Sequence, residues 1–221
     1  MNRYSFDNIA TSNSTCKKTF SRKALKVISG FACAITILAA GAANATQKPV
    51  SSANLEEFRK EARGHAKSLG GALKARLQQA IKHGGLEAGV EECKLVAEPI
   101  AESLSNEGWT VGRTALRVRN PNNTPDSWEQ TQLANFAEQL SQKLPGPFEA
   151  LHVDEQTGEL RYMKAIQTGQ VCTACHGNNI APDVYHAIKK AYPNDEAIGF
   201  DVGSLRGAFS LTYSPSMPQA D

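Results

Sequence analysis

Cys172-Thr173-Ala174-Cys175-His176 sets two thiols three positions apart with an imidazole directly after them. Thiols at that spacing stand about one helical turn apart and can both reach the vinyl groups along one edge of a porphyrin. The adjacent histidine can then turn a ring nitrogen onto the iron as proximal ligand, so C-x-x-C-H is the attachment signature of haem c. With five cysteines and five histidines in 221 residues, about 0.003 such matches are expected by chance. Competing chemistries fit less well. A thioredoxin-like C-x-x-C calls for a βαβ setting and has no need of the histidine. A structural zinc site needs further ligands at matching spacing, and there is no second C-x-x-C. A plain Cys172–Cys175 disulfide is the bland alternative.

One axial position of such a haem stays open at the level of residues. His65, His83, His152, His186, Met163, Met217, Cys93 or no protein group at all could fill it. A lone histidine is more often a surface or cap residue, and His83 falls in a helix-ending turn. Met163 lies in a strand pattern where a core role is the simpler reading, and Cys93 lies on an apolar helical stripe where a small buried thiol is common.

The chain carries 24 basic and 22 acidic residues, a net charge of +2, with 41% hydrophobic and 21% charged residues. That is globular composition. The balance excludes a nucleic-acid binder that works by neutralising phosphates. Much of the positive charge sits at the start: Arg3, Lys17, Lys18, Arg22, Lys23 and Lys26 against Asp7, followed by the charge-free run Val27–Ala40 and the small residues Gly41–Ala45. Basic, apolar, then small is the order of a secretory signal, with Ala43-x-Ala45 as the cleavage site. A twin-arginine leader lacks its second arginine at Ser21-Arg22-Lys23, and Gly30 is a poor lipobox start for Cys33. Sec-type export, and hence a periplasmic or otherwise exported location, follows. Removing residues 1–45 takes away six bases and one acid and leaves 18 against 21, net −3. Cys16 and Cys33 go with it. No further long apolar run remains, so no membrane span is expected after cleavage.

The elements that must position the motif follow from periodicity. Leu55, Phe58, Ala62, His65, Leu69, Leu73, Leu77 and Ile81 recur at helical steps over 52–82, and His83-Gly84-Gly85 ends the helix. Leu86, Val90, Cys93, Ala97, Ile100 and Leu104 mark a second helix, with a kink expected at Pro99. Trp109, Val111, Leu116 and Val118 suggest extended chain as far as Arg119. Asp126-Ser127-Trp128-Glu129 has the form of a capping box opening a helix to about Lys143. Phe148–Val153 and Glu159–Thr168 read as a hairpin, Pro182–Tyr192 as a short helix and Arg206–Tyr213 as a last strand. Strands at hairpin spacing with helices packed on them give an α+β domain with an antiparallel sheet.

Several runs together resemble one family. They are Gly108-Trp109-Thr110-Val111-Gly112-Arg113-Thr114, then Arg119 through Glu129, and Tyr162-Met163-Lys164-Ala165-Ile166. The C-x-x-C-H-G run to Gly177, Gly199-Phe200 and Arg206-Gly207-Ala208-Phe209-Ser210 complete the set. The chain resembles the PAS-like c-type haem domain family, formerly a domain of unknown function, found as stand-alone exported haem proteins and as extracytoplasmic sensors of histidine kinases. The resemblance spans nearly all of residues 54–213. It implies a PAS-like antiparallel sheet with two long N-terminal helices and covalently bound haem. The domains are then a signal peptide at 1–45, the haem domain at 46–213 and a C-terminal tail at 214–221.

The resemblance also implies axial ligation by the motif histidine, His176, and by a distal cysteine on an N-terminal helix, which corresponds to Cys93. Glu98 stands where the family usually follows alanine directly with proline. Arg113, Arg161 and Arg206 become candidates to neutralise the haem propionates. The implied function is that of an exported monohaem c-type cytochrome with a redox- or gas-sensing role. A soluble periplasmic electron carrier is the alternative and a haem enzyme the less favoured third, since two protein ligands leave no open position. The implied partners are the haem-attachment machinery during maturation and a signalling or redox partner protein.

Overall fold

Residues 52–215 are described by the computed structural model. The leader expected over 1–45, with Cys16 and Cys33, and Met217 in the tail lie outside the described residues. The first described element, α1 (Ser52–Leu104), is broken where the glycines fall. Gly84 and Gly85 leave helical geometry, and Gly85 takes φ 74° with ψ −170°, a conformation open to glycine and strained for any residue with a Cβ. Two helical arms result, over 52–83 and 86–104, as the periodicity predicts. The second folds back on the first: Arg76 pairs with Glu92, and Gly89 lies against Leu77 and Ile81. Backbone dihedrals stay helical through Pro99, and the break in helical geometry sits at Gly84–Gly85.

Four strands follow: β1 (Trp109–Thr114), β2 (Glu149–Val153), β3 (Leu160–Gln167) and β4 (Leu205–Tyr213). They form one antiparallel sheet in the order β1-β4-β3-β2, with α2 (Ser127–Ser141) between β1 and β2. The fold is α+β with an open antiparallel sheet. Successive strand residues face opposite sides, and β3 shows this directly. Tyr162 joins Phe58, Ala62, Ala66 and Leu69 of α1's first arm with Trp109, Val111 and Leu211. Met163 joins Leu133 and Phe136 of α2 with Ala208. The sheet is thereby covered on both faces. Each buried large aliphatic or aromatic side chain contributes about 1.5–3 kcal/mol. Arg63 of α1 also makes a bidentate pair with Glu149 of β2 at 2.7–3.1 Å.

The capping box at α2 is present in full: Asp126 accepts from the Glu129 amide at 2.9 Å, and Glu129 accepts from the Asp126 amide at 3.0 Å. β1 ends at Thr114 rather than running to Arg119. Its pairing with β4 stops at Thr114↔Ala208, and Ala115 donates instead to the Asn123 carbonyl. Residues 116–119 turn away toward a distant loop, where the Val118 carbonyl accepts from the Glu196 amide at 2.9 Å. The long connection from β3 to β4 holds a 3₁₀ turn (Gln170–Cys172), α3 (Thr173–His176) and α4 (Pro182–Ala191). α4 buries Val184 and Ile188 against Val90 of α1's second arm, with Cys175 and Tyr192 packed on the same cluster.

Candidate functional site

The motif occupies the tightest stretch of that connection. Cys172 ends the 3₁₀ turn, and Cys175 and His176 lie in the single turn of α3. Gly177 closes it by donating to the Thr173 carbonyl at 2.9 Å. A Cβ on Gly177 would stand 2.5 Å from that same carbonyl oxygen, so close approach rather than unusual dihedrals demands glycine here. Cys93, Cys172 and Cys175 are all free thiols of intermediate exposure.

His176 is held by a loop remote in sequence. Its Nδ1 lies 2.6 Å from the Ala197 carbonyl. A carbonyl only accepts, so Nδ1 carries the proton and Nε2 keeps a free lone pair. Burial first, and the positive Arg206, Arg119 and Arg113 besides, push the imidazole down to about 2, although the Ala197 bond opposes this. The ring is therefore neutral and able to ligate across the physiological range. Phe200 meets it edge-on, with ring centroids 6.3 Å apart at 85°, and the Phe200 amide donates to the His176 carbonyl at 2.9 Å.

That loop is itself fastened by a buried ion pair. Arg119 donates to both oxygens of Asp195 at 2.9 and 3.1 Å, to the Cys175 carbonyl at 2.7 Å and to the Ala197 carbonyl at 3.3 Å. Asp195 also accepts from the Ala197 amide at 3.1 Å. The Asp195 side chain is 0% exposed and that of Arg119 12%. One guanidinium thus ties the motif's backbone to the carbonyl that orients its histidine.

α1's second arm brings Cys93 to this region. Burial pushes its thiol up, and Arg113 and Arg119 draw it back toward the anion. Cys175 is likewise raised by burial, with Cys93 adding to the rise. Burial also raises Tyr192, to about 12, with help from Cys93. Cys93, Cys175, Arg113, Arg119 and Tyr192 therefore form one electrostatic group. Arg206 joins it from β4: burial and the neighbouring Arg119 and Arg113 lower its guanidinium to about 10. Among the described residues, neither Arg113 nor Arg206 makes an ion pair. Arg161, the third candidate, stands apart from them. It pairs with Asp126 at 2.6 Å and lies over the Trp128 ring.

The remaining axial candidates have other company. His65 packs on Trp109, His83 contacts the Gln79 carbonyl at the end of the first arm, and His152 lies near Trp128. His186 is exposed on α4, and Met163 is fully buried with α2. Among the described residues no group of three or more His, Cys, Asp and Glu side chains could hold a bare metal ion. Two protein ligands suffice where a porphyrin supplies the equatorial nitrogens. A neutral imidazole with a free Nε2, two adjacent thiols, a third thiol flanked by arginines and two unpaired guanidiniums suit a dianionic macrocycle.

Arg119, Asp195, Ala197, Phe200 and Tyr192 are absent from the sequence-derived site. Arg119 and Phe200 fall in runs that carry the family resemblance. Nothing local marks Asp195 or Ala197, whose roles arise from hydrogen bonds across the fold. A cleft of about 930 Å³ is not lined by the motif cysteines or Cys93; it meets the site at Phe200 and Arg206.

Comparison with known proteins adds the following. A family model described as Tll0287-like matches residues 32–214. A solved structure titled "Crystal structure of the cyanobacterial heme-protein Tll0287" aligns at 24% identity and TM-score 0.49, over 77% of this chain and 99% of that one. No curated protein matches.

Proposed function

Because the chain belongs to the Tll0287-like family, we propose that it is an exported monohaem c-type cytochrome of PAS-like fold with a redox- or gas-sensing role. Cys172 and Cys175 would hold the haem covalently, His176 through Nε2 and Cys93 through its thiolate would ligate the iron, and Arg113 and Arg206 would neutralise the propionates. The observation that carries the reading is the His176–Ala197 hydrogen bond: Nδ1 is spoken for at 2.6 Å, and Nε2 is left as the donor atom beside the two motif thiols. Histidine ligands are commonly oriented in this way by a carbonyl on the second nitrogen.

When bound, the haem supplies one-electron chemistry. The chain's residues do the rest. The Arg119–Asp195 pair fixes the loop that orients His176, while Arg113 and Arg119 lower the cost of a Cys93 thiolate. A thiolate is a soft anionic donor that favours ferric over ferrous iron. Two protein ligands would leave no vacant position for a substrate, and a gas would gain access only on loss or protonation of the Cys93 thiolate. The protein is therefore read as a sensor or carrier rather than an enzyme. If covalent haem survives denaturing electrophoresis in the wild type and disappears in Cys175→Ala, attachment holds. An unchanged ferric spectrum in Cys93→Ala would show that the thiolate ligand is misassigned.

A further inference from the structure

Apart from Arg206 at its margin, the cleft beside His176 has no part in this reading. It opens between the C-terminal end of α2 and the loop entering β4, and its volume is about 930 Å³. Leu116, Leu144 and Val202 rim it and are 48%, 46% and 55% exposed, half of the exposed large apolar side chains among the described residues. Phe148, Phe200 and Leu140 line its interior. Exposed apolar side chains gathered at one concavity mark an interaction site.

Its charge is one-sided. Arg117, Lys143 and Arg206 line it against a single acid, Asp201, which already accepts from Asn178 at 2.9 Å. Among the described residues none of the three cations makes an ion pair. Arg117 instead lies 3.7 Å from the centre of the Phe200 ring and donates to the Ile198 carbonyl at 2.7 Å. This cationic face stands on a chain that is net −3 once residues 1–45 are removed.

We infer that this cleft is the docking surface for an acidic one-electron redox protein, which presents an apolar contact ringed by carboxylates. The inference rests on the haem reading above. Phe200 supplies the connection, since it lines the cleft and its ring stands at 85° to the His176 imidazole with centroids 6.3 Å apart. The exchange moves one electron between the partner's centre and the haem, oxidising one as it reduces the other, with no atom transferred. Complementary charge steers encounter and speeds association, an effect that salt removes. A lipid surface fits less well, because an apolar rim around a concavity offers no protruding face to insert.

The test uses the purified holoprotein. Ferricyanide oxidation of the ferrous form is followed by stopped flow at rising salt, and redox-inert hexacyanocobaltate(III) is titrated into isotope-labelled protein. The rate should fall with salt, and Lys143→Glu and Val202→Glu should each slow it about threefold or more at low salt. Both variants should keep the wild-type spectrum and midpoint potential. The cobalt trianion should shift amides at 116–117, 143–144 and 202–206, a readout independent of electron transfer. A rate that rises with salt, as the net −3 chain would give, or shifts gathered elsewhere, overturns the proposal while covalent haem leaves the function standing. A wild-type chain that matures without covalent haem overturns both. Phosphatidylglycerol vesicles should not bind; co-sedimentation abolished by both variants would reassign the cleft to a membrane.

Discussion

At Cys93 two influences oppose each other. Burial favours the neutral thiol, and Arg113 and Arg119 favour the thiolate. Coordination would decide the balance, since a metal-bound thiol is held deprotonated. Removing that anion in Cys93→Ala is expected to raise the midpoint potential by on the order of 100 mV, read by spectroelectrochemistry. Asp195 acts one step further out. With its carboxylate fully buried against Arg119, Asp195→Ala leaves a guanidinium without its counter-charge and should cost about 3–5 kcal/mol in chemical denaturation. A loss below about 1 kcal/mol would show that solvent already reaches the pair.

The elements translate these residue effects into position. Gly85 makes the reversal that returns α1's second arm, and Cys93 with it, toward α3 and α4. At φ 74° and ψ −170°, Gly85→Ala should cost about 1–3 kcal/mol and perturb the Cys93-dependent ferric spectrum. Gly64→Ala, on the same helix with open space around it, should do neither. At α2, Asp126→Ala removes the cap, worth about 1 kcal/mol in a thermal melt, and also the partner of Arg161. The haem spectrum should stay unchanged, because α2's cap has no contact with the motif.

For the whole molecule, two carboxyls couple folding to pH. Burial alone would raise Glu149, but the bidentate hydrogen bonds and charge of Arg63, with Lys164 nearby, outweigh it and hold the group below its ordinary 4.5. Burial of Asp126 is likewise outweighed, by the Glu129 amide and Arg161, which hold it below 3.8. Carboxyls that titrate lower when folded take up protons first in the unfolded chain. Their stabilisation is therefore complete above about pH 4.5 and is lost as pH falls through the folded values. Melting temperatures of wild type and Glu149→Gln should differ at pH 7 and converge toward pH 3. A gap that is constant over that range would assign Glu149's contribution to packing rather than charge.

Much of this organisation is legible along the chain. Helical periodicity, the Gly84–Gly85 break, the Asp126 box and the two hairpin strands are local signals, and the structure shows each within a few residues. The expectation that failed had a tertiary cause. Extended chain past Thr114 looked continuous because Leu116 and Val118 alternate, yet Ala115 leaves β4 to donate to the Asn123 carbonyl and the Val118 carbonyl pairs with Glu196.

By itself the sequence determined the chemistry on offer: C-x-x-C-H is contiguous, and bonding between neighbours needs no fold to be read. It also determined the element types, because burial periodicity is a property of short segments. Only the tertiary structure decided how the chemistry is aimed. Which nitrogen of His176 is free depends on Ala197, and Ala197 depends on Arg119 and Asp195, 76 positions apart in the chain. Which arginines face the site and which is spent elsewhere, as Arg161 is on Asp126, depends on strand pairing. Charge and hydrogen bonding act through space over a few ångströms, and folding alone sets those distances.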